Sequence, residues 1–412
     1  MKVLHTADLH MDRSFEGITN VPSHLAQRFI QANQVLLKTI TELAIEQAVD
    51  LVIFAGDTFH QSRTSIMMQS FFIDELVRLK EANIPVVLTF GNHDYYAKER
   101  YWFHFPENVY VFDSEEVTTI QLETAAGETV FVTGFSYEHP WIEAEKLQEF
   151  PVRNSAADIH IGVYHGEMTK KNNQNYAPFS LADMKAKGYD FWALGHIHQP
   201  QVINQTPLII YPGTPQGHTK KERELNGVAL VTIQNGRTEI EFEPVATIQW
   251  YQKSYSLKQA NNTQEVLAHL LTAISKDFAG LTTFNLVEVQ LADLDTVDQT
   301  VQLALENGEL LSYLQKQLLA KTADQVFVFA LSQAKAAETT AAKVFLPANP
   351  ALLQQLETIY LDTNIFSDTT KELFQHPTLA ALIDINQVWQ KRCISVADRL
   401  ILADFLIQEA PL

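Results

Sequence analysis

Five short apolar runs in this chain each end on a cluster of carboxylate, amide or imidazole side chains, and that pairing restricts the fold more than any other feature. Val3 to Ala7 ends on Asp8-Leu9-His10, and Leu51 to Ala55 ends on Gly56-Asp57. Pro85 to Phe90 ends on Gly91-Asn92-His93-Asp94, Ile159 to Tyr164 on His165-Gly166, and Tyr189 to Leu194 on Gly195-His196-Ile197-His198. Apolar runs of this length bounded by turn residues read as buried strands. Polar loops leaving a rigid scaffold are where function concentrates.

Between the first three runs lie two helical stretches. The first starts at Ser23 or His24 and reaches about Ala48, with Leu25, Phe29, Val35, Leu36, Ile40, Leu43 and Ala44 on its apolar face. The second spans about Ser65 to Glu81, with Phe72, Leu76, Val77 and Leu79 inward. Strand, helix, strand, helix, strand implies parallel pairing. Short strands joined by turns follow at Val109–Phe112, Val117–Leu122 and Thr129–Gly134, then at Leu208–Tyr211, Gly227–Ile233 and Thr238–Glu243. The expected fold class is α/β, with two mixed β-sheets packed face to face and helices outside. After about Thr247 the character changes. Strands at Val287–Leu291 and Val326–Phe329, with helices at about 263–277 and 299–320, indicate a small α+β domain. Residues 349–412 read as mostly helical, with Leu352, Leu353, Leu356 and Ile359 at helical spacing. The face from Val396 to Leu406 suits a core or a partner helix.

A chain of 412 residues can hold two or three domains. No apolar run approaches the roughly 20 residues of a membrane helix. The sequence opens directly on a strand, so no signal peptide is expected. Cys393 is the single cysteine, which rules out an intrachain disulfide and suits a reducing cytoplasm. The net charge of −19 argues against a generally basic nucleic-acid coat, although a local positive face is enough to meet a phosphate backbone.

Hard oxygen ligands mixed with imidazoles suit a borderline divalent ion such as manganese, iron or zinc. Asp8, His10, Asp57, Asn92, His165, His196 and His198 are too many for one ordinary site and suit two, with Asp57 bridging. Such a pair activates water and steadies phosphoryl oxygens in an in-line displacement. Taken singly, a histidine on an apolar strand reads as a satisfied core residue and an Asp after Gly as a turn; the joint placement favours ligands. Of the adjacent Asn92 and His93, one is expected to reach the metals. His93 is then free to donate a proton to a leaving oxygen or to hold developing charge, with Asp94 orienting its ring. Glycines at 56, 91, 166 and 195 are expected to allow tight turns.

These residues resemble the calcineurin-like metallophosphoesterase superfamily, whose pattern is Asp-x-His, Gly-Asp, Gly-Asn-His-Asp/Glu, His and Gly-His-x-His. The resemblance is closest to its DNA-repair exonuclease branch, the nuclease subunits of SbcCD-type complexes and the YhaO-like members. It rests on the opening Lys2 to Asp12, on Gly56-Asp57-Thr58-Phe59-His60-Gln61-Ser62-Arg63, and on Tyr211-Pro212-Gly213-Thr214-Pro215-Gln216. His60 stands three residues after Asp57, where phosphatases of the superfamily tend to carry Asp-Arg-Gly. The resemblance implies a four-layer core over 1–247, a capping domain at about 248–345 and a helical region over 346–412. It places Asp8, His10, Asp57 and His198 on one metal, and Asp57, Asn92, His165 and His196 on the other, with Mn2+ the first expectation. It makes His93 the catalytic histidine and His60 a second residue acting on a DNA end. A coiled-coil ATPase of the SbcC type is the implied partner, and a homodimer is left open.

The loops beside the candidate ligands are basic although the chain is acidic. Arg63, Lys98, Arg100, Lys170, Lys171, Lys220, Lys221 and Arg223 all lie there, so Arg63, Lys170, Lys171, Lys220 and Lys221 are candidate DNA contacts, or else ordinary solvated charges. Tyr95 and Tyr96 could stack on bases but favour packing. A metal-dependent DNA exonuclease that also nicks single strands is the leading expectation. A phosphatase or phosphodiesterase for a small or protein substrate is the alternative, and a catalytically dead scaffold is disfavoured by the complete ligand set.

Overall fold

A computed structural model describes residues 1–334 except 20, 62–63, 170–175, 224–226, 261 and 295–296, together with 358–371, 389–391 and 393–394. The chain forms two compact units, Met1–Ser332 and Gln333–Leu412. Two six-stranded sheets make the body of the first unit. One contains β1 (Lys2–Thr6), β2 (Leu51–Ala55), β3 (Val86–Thr89), β4 (Val109–Val111), β11 (Gly227–Gln234) and β12 (Arg237–Pro244), in the order β12-β11-β1-β2-β3-β4. β1 to β4 are parallel, and β11 and β12 add antiparallel strands. The other contains β5 (Thr118–Glu123), β6 (Thr129–Gly134), β7 (Ile159–His165), β8 (Phe191–Gly195), β9 (Gln201–Gln205) and β10 (Leu208–Tyr211), in the order β5-β6-β7-β8-β10-β9. Its four middle strands are parallel and its edges antiparallel.

The alternation of side chains along each strand divides the core into layers. Val3, Ala7, Ile53 and Ala55 face Ile161, Val163, Phe191 and Ala193 between the sheets. Leu4, Val52, Phe54 and Leu88 point the other way, onto α1 (Ser23–Glu46) and α2 (Ile66–Glu81). Tyr164, Trp192, Leu194 and Ile209 cover the outer face of the second sheet, with Met184 of the short helix α3 (Leu181–Ala186). The expected layering of two mixed sheets between helices is therefore present.

Several details depart from the sequence pattern. Val35 and Val77 are 48% and 37% exposed, while Ala32, Asn33 and Leu37 on α1 and Glu75 on α2 turn inward. Asn33 is tolerated inside because its amide donates to the carbonyls of Met11 (2.9 Å) and Arg13 (3.1 Å). The helix expected over 299–320 breaks at Gly308, whose φ of +80° a side-chain-bearing residue rarely adopts, into α5 (Gln299–Glu306) and α6 (Glu309–Lys321).

A third sheet of β13 (Ile248–Ser256), β14 (Phe284–Ala292) and β15 (Val326–Gln333) carries α4 (Thr263–Asp277), α5 and α6. Its Ile248, Trp250, Phe284, Leu286 and Phe327 pack on Leu25 and Ala32 of α1. The Pro-Gly-Thr-Pro-Gln turn anchors it. Buried Gln216 donates to the Ile248 carbonyl (2.6 Å) and accepts from the Thr247 and Ile248 amides (3.1 and 3.2 Å). In the second unit, α7 (Thr363–Thr370) is capped by Asp362 and buries Phe366 against Trp389. Leu352, Leu353, Leu356 and the 396–406 face lie outside the described residues.

Candidate metal centre

β1, β2 and β3 are parallel neighbours in one sheet, and β7 and β8 are parallel neighbours in the other, so five carboxyl ends meet at one rim of the sandwich. Backbone bonds strap the loops together there: Asp8 N–H to the Gly56 carbonyl (3.0 Å), His10 N–H to Asp57 (3.1 Å) and Gly166 N–H to Gly195 (3.2 Å). Four of the candidate ligands sit in left-handed backbone: Asp8 (φ +53°), His10 (+45°), Asp57 (+52°) and His196 (+100°). Non-glycine residues hold such conformations only where surrounding structure enforces them, typically at functional sites. Of the glycines expected to turn tightly, Gly56 does so with φ +89°. At 91, 166 and 195 the reason is space. A Cβ on Gly91 would lie 2.2 Å from Asp57 Oδ1, and one on Gly195 would lie 1.9 Å from the Ala55 carbonyl oxygen.

The structure brings all seven candidate ligands together. The donor atoms of Asp8, His10 and His198 lie within 4.8 Å of one another, as do those of Asp8, Asp57 and His165. His10 Nε2 is 3.2 Å from His198 Nε2 and 3.9 Å from Asp57 Oδ2, and His165 Nε2 is 3.5 Å from the same Asp57 oxygen. Asn92 Oδ1 lies 3.2 Å from His165 Nε2 and 3.1 Å from His196 Nδ1. Asp57 thus lies between two groups of donors. The outward nitrogens are fixed: His165 Nδ1–H donates to the Ala55 carbonyl (2.9 Å) and His198 Nδ1–H to Glu222 Oε1 (2.6 Å), leaving each Nε2 directed inward.

Asp8 and Asp57 are buried, with imidazoles as their nearest basic neighbours. Burial lifts the Asp8 carboxyl to about 6 against the pull of His198 and His165. Burial acts the same way on Asp57, but His165, His10 and His93 outweigh it and hold that carboxyl well below the usual range. Burial keeps His10 and His196 from charging, the latter down to about 3, whereas Asp57 overcomes burial and raises His165 to about 9. Buried carboxylates with converging imidazole and amide donors fit a divalent cation.

His93 stands beside this cluster with a different set of contacts. Its backbone N–H donates to Asp57 Oδ1 (3.0 Å) and its Nδ1–H to the His60 carbonyl (3.2 Å). Its ring stacks on that of His60, 4.8 Å between centroids, and His60 Nδ1 is 3.3 Å from His10 Nδ1. Asp94 does not orient the His93 ring as expected. Its two oxygens accept from the Gly91 amide (2.8 Å) and the Phe59 amide (3.2 Å), so it ties two site loops together. Burial, reinforced by Asp57, raises its carboxyl to about 7.

An open cleft of about 630 Å³ is lined by His10, His60, His93 and His198, by Lys220 and Lys221, and by Phe329 and Ala330 of β15. Lys220 pairs with Glu288 of β14 at 3.1 Å. Arg63, Lys170 and Lys171 lie outside the described residues. Arg100 is engaged internally, donating to the Tyr95 carbonyl (3.1 Å) and lying over its ring, and Tyr96 packs against Phe90 and Tyr101. Three polar residues join the site that the sequence pattern does not single out. Asp12 accepts from the His60 amide (2.5 Å), Arg13 donates to Glu222 (3.2 Å), and Glu222 supports His198. Asp12 and Arg13 adjoin the first ligand cluster, which is a usable signal; Glu222, in a Lys-Lys-Glu-Arg run, reads as ordinary surface charge.

Comparison with known proteins agrees with this geometry. The family model for calcineurin-like phosphoesterases matches residues 1–200. The uncharacterized metallophosphoesterase YhaO of Bacillus subtilis is 30% identical over 275 residues, covering 66% of this chain and 67% of that protein. The DNA double-strand break repair protein Mre11 of Methanopyrus kandleri is 25% identical over 281 residues, 61% of this chain and 57% of its own length. The SbcD component of the nuclease SbcCD from Staphylococcus epidermidis is 22% identical over 261 residues, 58% of this chain and 67% of its own. The chain therefore spans little more than half of the archaeal relative and about two thirds of the bacterial ones. No helix among the described residues is long and apolar enough to cross a membrane. With the strand-end ligands gathered at one rim and relatives of this kind, the chain belongs to the calcineurin-like metallophosphoesterase family.

Proposed function

We propose that this protein is a two-metal-dependent DNA nuclease that hydrolyses phosphodiester bonds at DNA ends and within single strands, working with a coiled-coil ATPase of the SbcC type. The observation that carries this reading is the paired His93 and His60 beside the ligand cluster, in a cleft open to a polymer and edged by lysines. In it, Asp8, His10, Asp57 and His198 hold one divalent ion, and Asp57, Asn92, His165 and His196 the other, with Mn2+ the first choice. Bound there, the ions supply Lewis acidity that acidifies water and draws charge from phosphoryl oxygens. His93 works from Nε2, since Nδ1–H is committed to the His60 carbonyl; that nitrogen delivers a proton to the departing oxygen or holds its charge. His60 fixes the His93 ring by stacking and through its carbonyl oxygen, and its own ring faces the DNA end from the cleft. Lys220 and Lys221, with Arg63, Lys170 and Lys171, meet the phosphate backbone. Residues 1–247 carry the chemistry, 248–345 cap the cleft, and 346–412 offer the surface for the ATPase.

End-labelled duplex DNA and a chromogenic phosphodiester, each with Mn2+, test the reading on wild type, His93→Ala and a Lys220→Glu/Lys221→Glu double variant. The expected result is DNA degradation that drops about 10²–10⁴-fold without His93. Charge reversal is expected to weaken DNA cleavage while sparing the small substrate. Turnover of the small substrate with intact DNA favours a phosphodiesterase of narrower scope, and full activity in His93→Ala removes that residue from the mechanism.

A further inference from the structure

His198 differs from His10 and His165 in how it is held. The side chains of His10 and His165 are 1% and 0% exposed, so packing restrains those rings, and His165 is also bonded to the Ala55 carbonyl. The His198 side chain is 28% exposed on the cleft side and could rotate. What faces its Nδ1 is Glu222, on a different loop and 24 residues away, with its side chain 8% exposed.

We propose that Glu222 is a positioning residue for the metal centre, holding the His198 ring so that Nε2 faces the Asp8–His10 side. The proposal rests on the two-metal reading above. Glu222 is itself clamped. Oε1 accepts from His198 Nδ1 (2.6 Å) and Arg13 Nη1 (3.2 Å), and Oε2 from the backbone amides of His218 (2.8 Å) and Thr219 (3.1 Å). Four donors converge on two oxygens, so this is a place for a carboxylate. Glutamine brings one acceptor oxygen and one NH2 group; whichever way it lies, two donors meet another donor. Replacement by Gln therefore either releases His198 or leaves the backbone amides of His218 and Thr219 unpaired. On its other side, His198 Nε2 sits 3.2 Å from His10 Nε2, the spacing of two nitrogens aimed at one point. Partners behind a ligating histidine of this kind commonly change metal affinity by about 10–100-fold.

The test is calorimetric titration of Mn2+ into the metal-free full chain for wild type, Glu222→Gln and Glu222→Ala. We expect two Mn2+ in wild type, with one site weakened about 10–100-fold in both variants and the other unchanged. Thermal midpoints measured without metal monitor folding separately. Variants that match wild type at both sites overturn the role of Glu222 and leave the two-metal reading intact. A wild-type chain that takes up no Mn2+ overturns both. Nitrogen-15 imidazole spectra of metal-free wild type give a check that needs no variant: His198 must carry its proton on Nδ1, and a neutral Nε2–H form overturns the proposal.

Discussion

Replacing Gly91 by Ala probes the centre without removing any ligand. Gly91 has no positive φ, so its backbone accepts alanine and the perturbation is steric. The added Cβ would lie 2.2 Å from Asp57 Oδ1 and 2.6 Å from both Cε1 and Nε2 of His165. Ordinary contact begins at 3.4 Å, so the Asp57 carboxylate must retreat by about 1.2 Å, or the Gly-Asn-His-Asp loop must. Asp57 lies between the two donor groups, and His165 belongs to one of them. A displacement of about 1 Å at reacting groups costs on the order of 10²-fold in rate, near 3 kcal/mol. Overpacking of this kind typically costs about 1–3 kcal/mol in stability, so the variant folds with a lowered midpoint. The assay is Mn2+ titration and turnover of a chromogenic phosphodiester, beside Gly236→Ala as control. Gly236 has φ +71° with open space around it, so that change costs some stability and leaves turnover alone. Near-wild-type Mn2+ affinity and turnover in Gly91→Ala would show that the loop does not press on Asp57, and the crowded-corner account would be wrong.

Two further outcomes are expected. Chelation should lower the thermal midpoint and Mn2+ should restore it, since ligand at a hundred times its Kd adds about 2.7 kcal/mol per site; a midpoint indifferent to chelator contradicts the binding of metal. His5 and His160 should each lower stability as pH drops below about 6.5, because burial depresses them to about 3 and about 4. The unfolded chain then binds protons that the folded one refuses, at roughly 2 kcal/mol for each group by pH 5. Urea unfolding at pH 7 and pH 5 measures this, and a His5→Leu protein that keeps the full wild-type slope would clear His5 of its share.

The ligand set is legible in the sequence because each member lies within a few residues of an apolar run, and parallel strands carry their ends to one rim. Asp8, Asp57 and His165 need only the strand pattern to be brought together. Glu222 is not legible, since its meaning depends on a partner 24 residues away, on the far side of β9 and β10 in the chain. Asp94 adjoins His93 in sequence, which suggests a pairing that the fold does not make; in space its oxygens face the amides of Gly91 and Phe59. β13 is hidden in the sequence because polar residues such as Gln249 and Gln252 interrupt its apolar pattern. Val35 fits a heptad-like count, yet the stripe that meets the sheet also takes in Asn33, which satisfies two carbonyls of the loop after the first ligand cluster.

The hold of Gln216 on the start of β13 has a mechanical consequence. The cleft is lined both by the imidazole-bearing loops and by β15, a strand of the small sheet. That sheet is joined to the ligand-bearing body by Gln216, by Trp250 Nε1–H on the Gly217 carbonyl (2.8 Å), by Lys220 on Glu288 and by packing on α1. The polar ties end on residues 216–220, just short of Glu222, so the seating of the small sheet and the orientation of His198 share one loop.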